Sequence, residues 1–131
     1  MKFPDDLMYT REHEWARIKG DKVTVGITDY AQKELGDIVY VELPESGDEV
    51  VQDEQFGVVE SVKTVSDLFS PLSGDVSKVN EELEDRPELV NEDTYGDGWM
   101  VEIEINDKDE IDNLLSSEKY EEYVEEEAGE G

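Results

Sequence analysis

The dominant period of apolar residues along this chain is two. The runs "KVTVGIT" (22–28), "IVYVEL" (38–43), "QFGVVESV" (55–62) and "MVEIEI" (100–105) are rich in Val, Ile, Tyr and Phe. Several alternate apolar with polar positions, which turns one face of an extended strand to a core and the other to water. Turn signals separate them at short spacing: "KGD" (19–21), "PESGD" (44–48), "SPLSGD" (70–75) and "YGDGW" (95–99). Short strands punctuated by Gly and Pro predict a mainly β chain, a sandwich or a small barrel. Helical spacing is a minor element. "TDYAQKELG" predicts a short helix near residues 28–36, capped by Thr28 or Asp29 and stopped by Gly36. Near the end Ile111, Leu114 and Leu115, then Tyr120, Tyr123 and Val124, recur at spacings of three and four. With Asp107 and Ser117 as cap candidates, one or two C-terminal helices are expected. The closing "EEEAGEG" has little apolar content, so a frayed acidic tail is expected over about 125–131. No internal linker or strong repeat interrupts the chain, and 131 residues suit a single domain over 1–131.

Charge narrows the partners. Against 11 Lys and Arg stand 38 Asp and Glu, a formal net charge of -27, so a phosphate backbone or an anionic bilayer would repel the chain. Neither nucleic acid nor a membrane is an expected partner. No apolar run reaches the ~18–20 residues of a spanning helix, and "MKFPDDLMYT" lacks the apolar core of a signal peptide. A cytoplasmic protein is expected. Low hydropathy with high charge is also the signature of disorder, but 36% apolar residues, two Trp and six Tyr fall in periodic runs, which predicts a folded chain with an acidic surface. Such a surface repels itself at low ionic strength and is screened at ~1 M salt, where the Debye length is ~3 Å. This points to a salt-loving host. The absence of cysteine excludes disulfides, Cys-ligated metals and a thiol nucleophile. Any redox work must be done by an attached group.

One stretch, "GVVESVKTVSDLFSPLSGDV" (57–76), places a lysine where packing does not call for one. Val58, Val59 and Val62 precede Lys63 and Val65, Leu68 and Phe69 follow it, so two apolar segments face each other across a tight turn that holds Lys63 in solvent. A lysine at a hairpin tip is ordinarily there for solubility. Gly47 and Gly74, each beside a turn signal, frame this one as the tip of a long hairpin. Lipoyl and biotinyl carrier domains place their modified lysine at such a tip, with a glycine eleven residues later. More specifically, "ESVKTVSDLFSPLSG" closely resembles the lipoyl-lysine segment of the H proteins of the glycine cleavage system. "YTREHEW" (9–15), "VGITDYAQKELGDIVYVELPESGDEV" (25–50) and "VNEELEDRPELVNEDTYGDGWM" (79–100) agree with that family in order. The resemblance covers nearly all of residues 7–124.

It implies a lipoyl/biotinyl-carrier-like barrel-sandwich hybrid, and a carrier with no catalytic site of its own. In this family a lipoate ligase or lipoyl transferase joins lipoate to the lysine, here Lys63, as an amide. A pyridoxal-phosphate glycine decarboxylase loads an aminomethyl group onto one sulfur and releases carbon dioxide. A tetrahydrofolate-dependent aminomethyltransferase takes the carbon and releases ammonia, and an FAD-containing dihydrolipoyl dehydrogenase reoxidises the dithiol with NAD. The chain itself would hold only lipoate and act as a monomer.

By position, Glu60 and Gly74 match residues that the lipoylating enzyme reads in the family. Glu14 and Asp67 match acidic positions that line a surface cleft where the loaded arm parks, and a carboxylate there would hold the cationic amine by charge-assisted hydrogen bonds. Each residue also has a plainer role: a solvated strand carboxylate for Glu60, a turn glycine of positive φ for Gly74, surface charges for Glu14 and Asp67. Glu12 stands where relatives often carry a small hydroxyl residue, and Asp53 where a glycine is common. The lone His13 lacks a Ser, Cys or metal partner and is expected to be structural. Trp15 and Trp99 are expected as core or cleft-wall aromatics. "DKDEIDN" (107–113) lacks the turn glycine and closing glutamate of a calcium loop, so no metal is expected. Other readings stay open: a biotin carrier or a lipoyl domain of an oxo-acid dehydrogenase, an H-like donor of lipoyl groups to other complexes, and an acidic adaptor with no prosthetic group. Against a biotin carrier, Val62 and Thr64 flank the lysine where biotin domains carry methionines.

Overall fold

The computed structural model describes residues 1–129. Its strands are β1 (Met8–Tyr9), β2 (Glu14–Lys19), β3 (Lys22–Ile27), β4 (Ile38–Glu42), β5 (Glu49–Val50), β6 (Gln55–Ser61), β7 (Val65–Phe69), β8 (Gly74–Val79) and β9 (Val101–Ile105). They form two antiparallel sheets, one ordered β1-β2-β3-β9-β8-β5 and one ordered β4-β6-β7. The mainly β architecture predicted from the period of two is present, as two sheets. The strands without a sequence run of their own, β1, β2 and β5 among them, are short or lack alternation.

Alternation builds the core directly. Val23 pairs with Ile103 and Val25 with Val101, and these four side chains are buried together with Ala16, Val76 and Leu72. A second cluster joins Ile38 and Val41 of β4, Val59 of β6 and Leu68 of β7. It is closed by two short helices that the sequence pattern did not predict, α2 (Glu82–Asp85) and α3 (Leu89–Glu92), through Leu83, Leu89 and Val90. Leu43 and Phe56 pack against both clusters and join the two sheets.

The helix expected near residues 28–36 runs Asp29–Leu35 (α1 here, preceding α2 in the chain), with Thr28 accepting from the Ala31 N–H and Gly36 ending it at φ 80°. Asp107 caps a 3-10 helix over Lys108–Asn113. The last helix, α4 (Ser117–Gly129), is capped by Ser116 rather than Ser117: the Lys119 N–H donates to Ser116 Oγ at 3.3 Å and the Tyr120 N–H to its carbonyl at 2.9 Å. The tail expected from about 125 is taken into α4 as far as Gly129, and 130–131 lie outside the described residues. Tyr120 and Val124 of α4 are buried against Leu7, Tyr9 and Trp15, with the Tyr9 and Tyr120 rings stacked at 4.7 Å. Burial of this kind is worth roughly 1.5–3 kcal/mol per large apolar side chain, which fastens a helix whose outer face is almost all carboxylate.

Strand β4 departs from plain alternation. Ile38 pairs with Ser61 and Tyr40 with Glu60, leaving Val39 as the extra residue of a bulge. The bulge shifts the phase, so Ile38 and Val41 point inward while Val39 and Tyr40 both face water.

Candidate functional site

Strands β6 and β7 form a hairpin in which Val58 pairs with Asp67, Val59 with Ser66 and Glu60 with Val65. Its tip is Ser61 to Thr64, and Ser61 organises it. The Ser61 N–H donates to the Thr64 carbonyl at 2.8 Å, while Ser61 Oγ accepts from the N–H groups of Lys63 at 3.3 Å and Thr64 at 3.1 Å. The Val62 N–H donates to Asp37 O at 3.0 Å, tying the tip to the segment before β4. Each turn N–H is therefore satisfied without the lysine side chain. Lys63 is exposed, its Cε passes Gly36, where an added methyl would stand 3.5 Å away, and its amine takes no part in the ion pairs among the described residues. Acylating that amine would leave the backbone of the turn untouched.

Glu60 is half-buried on β6, between Tyr40 of β4 and Val65 of β7. Asp67 is exposed, and its Oδ1 accepts from Gln55 Nε2 at 3.1 Å across the hairpin. Gly47 has φ 98°, whereas Gly74 does not have the positive φ expected of a turn glycine. It is a buried residue opening β8, paired with Val50 and Ile105. A Cβ there would run into the Glu104 carbonyl and come within 2.8 Å of Ile103 Cγ2. The turn role is thus corrected to close strand packing.

Glu14 differs from its expected place on a surface cleft, being only 2% exposed. The reason is the corner between β1 and β2. His13 adopts φ 73°, and the Thr10 N–H donates to Glu14 O at 3.0 Å. This reversal starts β2 with its first side chain turned inward. Glu14 Oε1 lies 2.6 Å from Thr10 Oγ1, which itself accepts from the Glu14 N–H at 3.1 Å, and Oε2 accepts from the Phe69 N–H at 3.3 Å. Burial pushes this carboxyl up to about 8, with the charges of Glu12 and Asp53 adding to the rise and the bonds from Thr10 and Phe69 opposing it. Near neutral pH Glu14 is largely a neutral acid. Thr10, Arg11, Glu12 and Asp53 also line a cavity of about 240 Å³, so a charged opening lies beside the Glu14 partner. Asp53 has φ 68°, a conformation that favours the glycine common at this position.

His13 is structural, as expected. Its Nδ1 lies 2.8 Å from Tyr120 Oη, which lies 2.7 Å from Thr28 Oγ1, and its Nε2 is 3.2 Å from Glu127 Oε2. Burial lowers the His13 pKa against the pull of Glu127. Trp15 is fully buried, donates Nε1–H to Thr94 O at 3.1 Å, and lies so close to Gly26 that a Cβ there would stand 2.7 Å from the indole. Trp99 packs half-buried on the same cluster. Among the described residues no cluster of His, Cys, Asp or Glu suits a metal ion. Sequence reasoning missed Ser61 and Thr10; a hydroxyl two residues before an exposed lysine was the available signal for the first.

Residues 7–127 match the family model described as glycine cleavage H-protein. The chain belongs to this family. It is 60% identical over 126 residues to a glycine cleavage system H protein of Geobacillus sp. (strain WCH70), covering 96% of this chain and 99% of the relative. It is 56% identical over 124 residues to that of Staphylococcus carnosus (strain TM300), covering 95% and 98%. A crystal structure of a glycine cleavage system H protein from Mycobacterium marinum superposes with a TM-score of 0.81 at 40% identity, over 95% of this chain and 98% of that one. H proteins are carrier subunits rather than catalysts and hold lipoate covalently on a lysine. The Lys63 hairpin fits such a group: an exposed amine, in no ion pair among the described residues, on a turn whose backbone needs nothing from it.

Proposed function

We propose that Lys63 bears the lipoyl group through which this chain serves as the carrier of the glycine cleavage system. The observation behind this is the exposed amine at the tip of a hairpin closed by Ser61, inside the family match. When bound, lipoate supplies a disulfide whose sulfur takes up the aminomethyl group derived from glycine and which is regenerated by oxidation. Ser61 fixes the direction in which the lysine leaves the sheet. Glu60, beside it on the outer face, and Gly74 mark the lysine for the enzyme that attaches the group, Gly74 by letting β8 pack where it does.

Asp67 and Glu14 act in sequence on a cationic amine brought back along the surface. Asp67 meets it from the exposed side, and Glu14 holds it once its carboxyl has lost a proton, which the arriving charge favours. The partners on this reading are a pyridoxal-phosphate glycine decarboxylase, a tetrahydrofolate-dependent aminomethyltransferase, dihydrolipoyl dehydrogenase with FAD and NAD, and a lipoate ligase or lipoyl transferase. The protein works as a monomeric single domain in the cytoplasm. Separately, among the described residues no helix is long and apolar enough to cross a membrane.

The test is intact mass and peptide mapping of protein from its native host, followed by reconstitution with the decarboxylase and aminomethyltransferase. One lipoyl adduct at Lys63 and glycine-dependent carbon dioxide exchange are expected. An adduct on Lys33 or Lys78, or none, would overturn the assignment.

A further inference from the structure

The surface around Lys63 is apolar in a chain that is otherwise densely acidic. Val39 and Tyr40 are 50% and 52% exposed, Val62 69% and Val65 59%. Pairing gathers them: Tyr40, Glu60 and Val65 form one row across β4, β6 and β7, and the Val62 N–H bond to Asp37 O sets the hairpin tip against the start of β4. The bulge at Val39 matters most, because without it Val39 and Tyr40 would lie on opposite faces of the sheet and could not both join the patch. Packing alone gives no reason to spend a phase shift on exposing two apolar side chains beside an exposed lysine. Exposed carboxylates ring the patch at Asp37, Glu42 and Asp67. An apolar centre with a tyrosine anchor inside a polar rim is the anatomy of a protein interface.

We propose that Val39, Tyr40, Val62 and Val65, with Glu60 among them, are the docking surface for the enzyme that acylates Lys63, so that recognition extends past the hairpin onto β4. This rests on the reading of Lys63 as the attachment site. Reach selects the occupant. An unacylated lysine extends only about 6 Å from its Cα, five bonds of ~1.5 Å each, so a catalytic centre that acylates it must press down on the hairpin tip and cover the surrounding row. Enzymes acting on the far end of the acylated arm meet it roughly twice as far from the backbone and need not touch this surface. The partner's mouth is therefore apolar, with a cationic group or N–H donor for Glu60 and a basic rim facing the three carboxylates. In the step it performs, the deprotonated lysine amine attacks the carbonyl carbon of lipoyl adenylate. The C–N bond forms, the C–O bond to phosphate breaks, AMP leaves, and the amine's remaining excess proton passes to solvent.

The full-length apo chain should be lipoylated by a purified ATP-dependent lipoate ligase, with the adduct followed by intact mass, for wild type, Val39→Thr, Tyr40→Ser, Val65→Thr and the control Val51→Ser, which alters an exposed valine elsewhere. The expected result is a fall of about tenfold or more in kcat/KM for Tyr40→Ser, carried by KM, and smaller falls for the two threonine variants. Val51→Ser should stay within about twofold of wild type. Melting temperatures report that the variants fold, and Val39→Thr, nearly isosteric, keeps the test alive if Tyr40→Ser does not. Unchanged kcat/KM in Tyr40→Ser and Val39→Thr would overturn the proposal. So would a wild-type dimer in sedimentation that Tyr40→Ser dissociates, since the occupant would then be a second copy. Loss confined to carbon dioxide exchange at matched lipoyl occupancy would also overturn it, by assigning the patch to a later partner. Failure of wild type itself to be acylated at Lys63 is distinguishable from all of these and sinks the attachment reading first.

Discussion

Glu14 Oε2 accepts a hydrogen bond from the Phe69 N–H at 3.3 Å, so a buried acid at the start of β2 touches the end of the strand that returns from Lys63. Its other oxygen is engaged by Thr10 at 2.6 Å. The corner preceding β2 and the carrier hairpin are thereby joined through one titratable group, and its protonation state bears on both stability and the handling of a cation.

The first expected outcome concerns pH. The Glu14 carboxyl is raised from an ordinary 4.5 to about 8 in the folded protein. A raised pKa means that the folded state binds the proton more tightly than the unfolded one. Its stabilising contribution is complete below about 4.5 and is lost as pH rises through about 8. Glu14→Gln keeps the neutral acid's pattern, with an amide N–H toward Thr10 Oγ1 and a carbonyl toward the Phe69 N–H. The variant should match wild type within about 1 kcal/mol at pH 5. It should exceed wild type by on the order of 1 kcal/mol or more at pH 8–9. Urea denaturation across that range measures this; an equal decline in both proteins would place the titration elsewhere.

The net charge of -27 sets a second expectation. Melting temperature should rise from low to molar salt, equally in sodium and potassium chloride, because screening removes self-repulsion. A flat or falling curve would mean that the acidic surface is not an adaptation to salt.

Turn and lysine should separate cleanly. Lys63→Arg leaves every backbone bond of the tip in place, so it should melt like wild type yet carry no adduct, since the guanidinium stays protonated. Ser61→Ala removes the acceptor of two turn N–H groups and should lose roughly 1–2 kcal/mol. Calorimetry and intact mass report the two effects independently.

Asp67 and Glu14 make a fourth expectation on the loaded carrier. Asp67→Asn removes a charge, and Glu14→Gln removes the proton that Glu14 would give up to hold the amine, each at nearly constant shape, so spontaneous loss of the bound one-carbon unit as formaldehyde and ammonia should speed up in isolated loaded protein. Ligase-catalysed lipoylation should hold near the wild-type rate for Glu14→Gln, whose site is buried. Decay followed by mass spectrometry at the wild-type rate in both variants would reduce these carboxylates to ordinary charges.

What the sequence determined by itself was set by near neighbours. Alternation placed Val23, Val25, Val101 and Ile103 on one face, Thr28 and Gly36 bounded α1, and the two valine-rich segments around Lys63 closed as a hairpin. Periods, caps and tight turns are legible because the interactions that make them span only a few residues. The tertiary structure decided where burial and close approach depend on distant segments. Glu14 reads as one surface carboxylate among 38 acidic residues until Phe69 and Thr10 close over it. Gly74 reads as a turn glycine until the Glu104 carbonyl occupies the space of its Cβ. Val39 and Tyr40 read as opposite faces of one strand until pairing with β6 inserts a bulge between them and the core. Desolvation, backbone crowding and strand register are properties of what packs against a residue, and no local pattern in the chain carries that information.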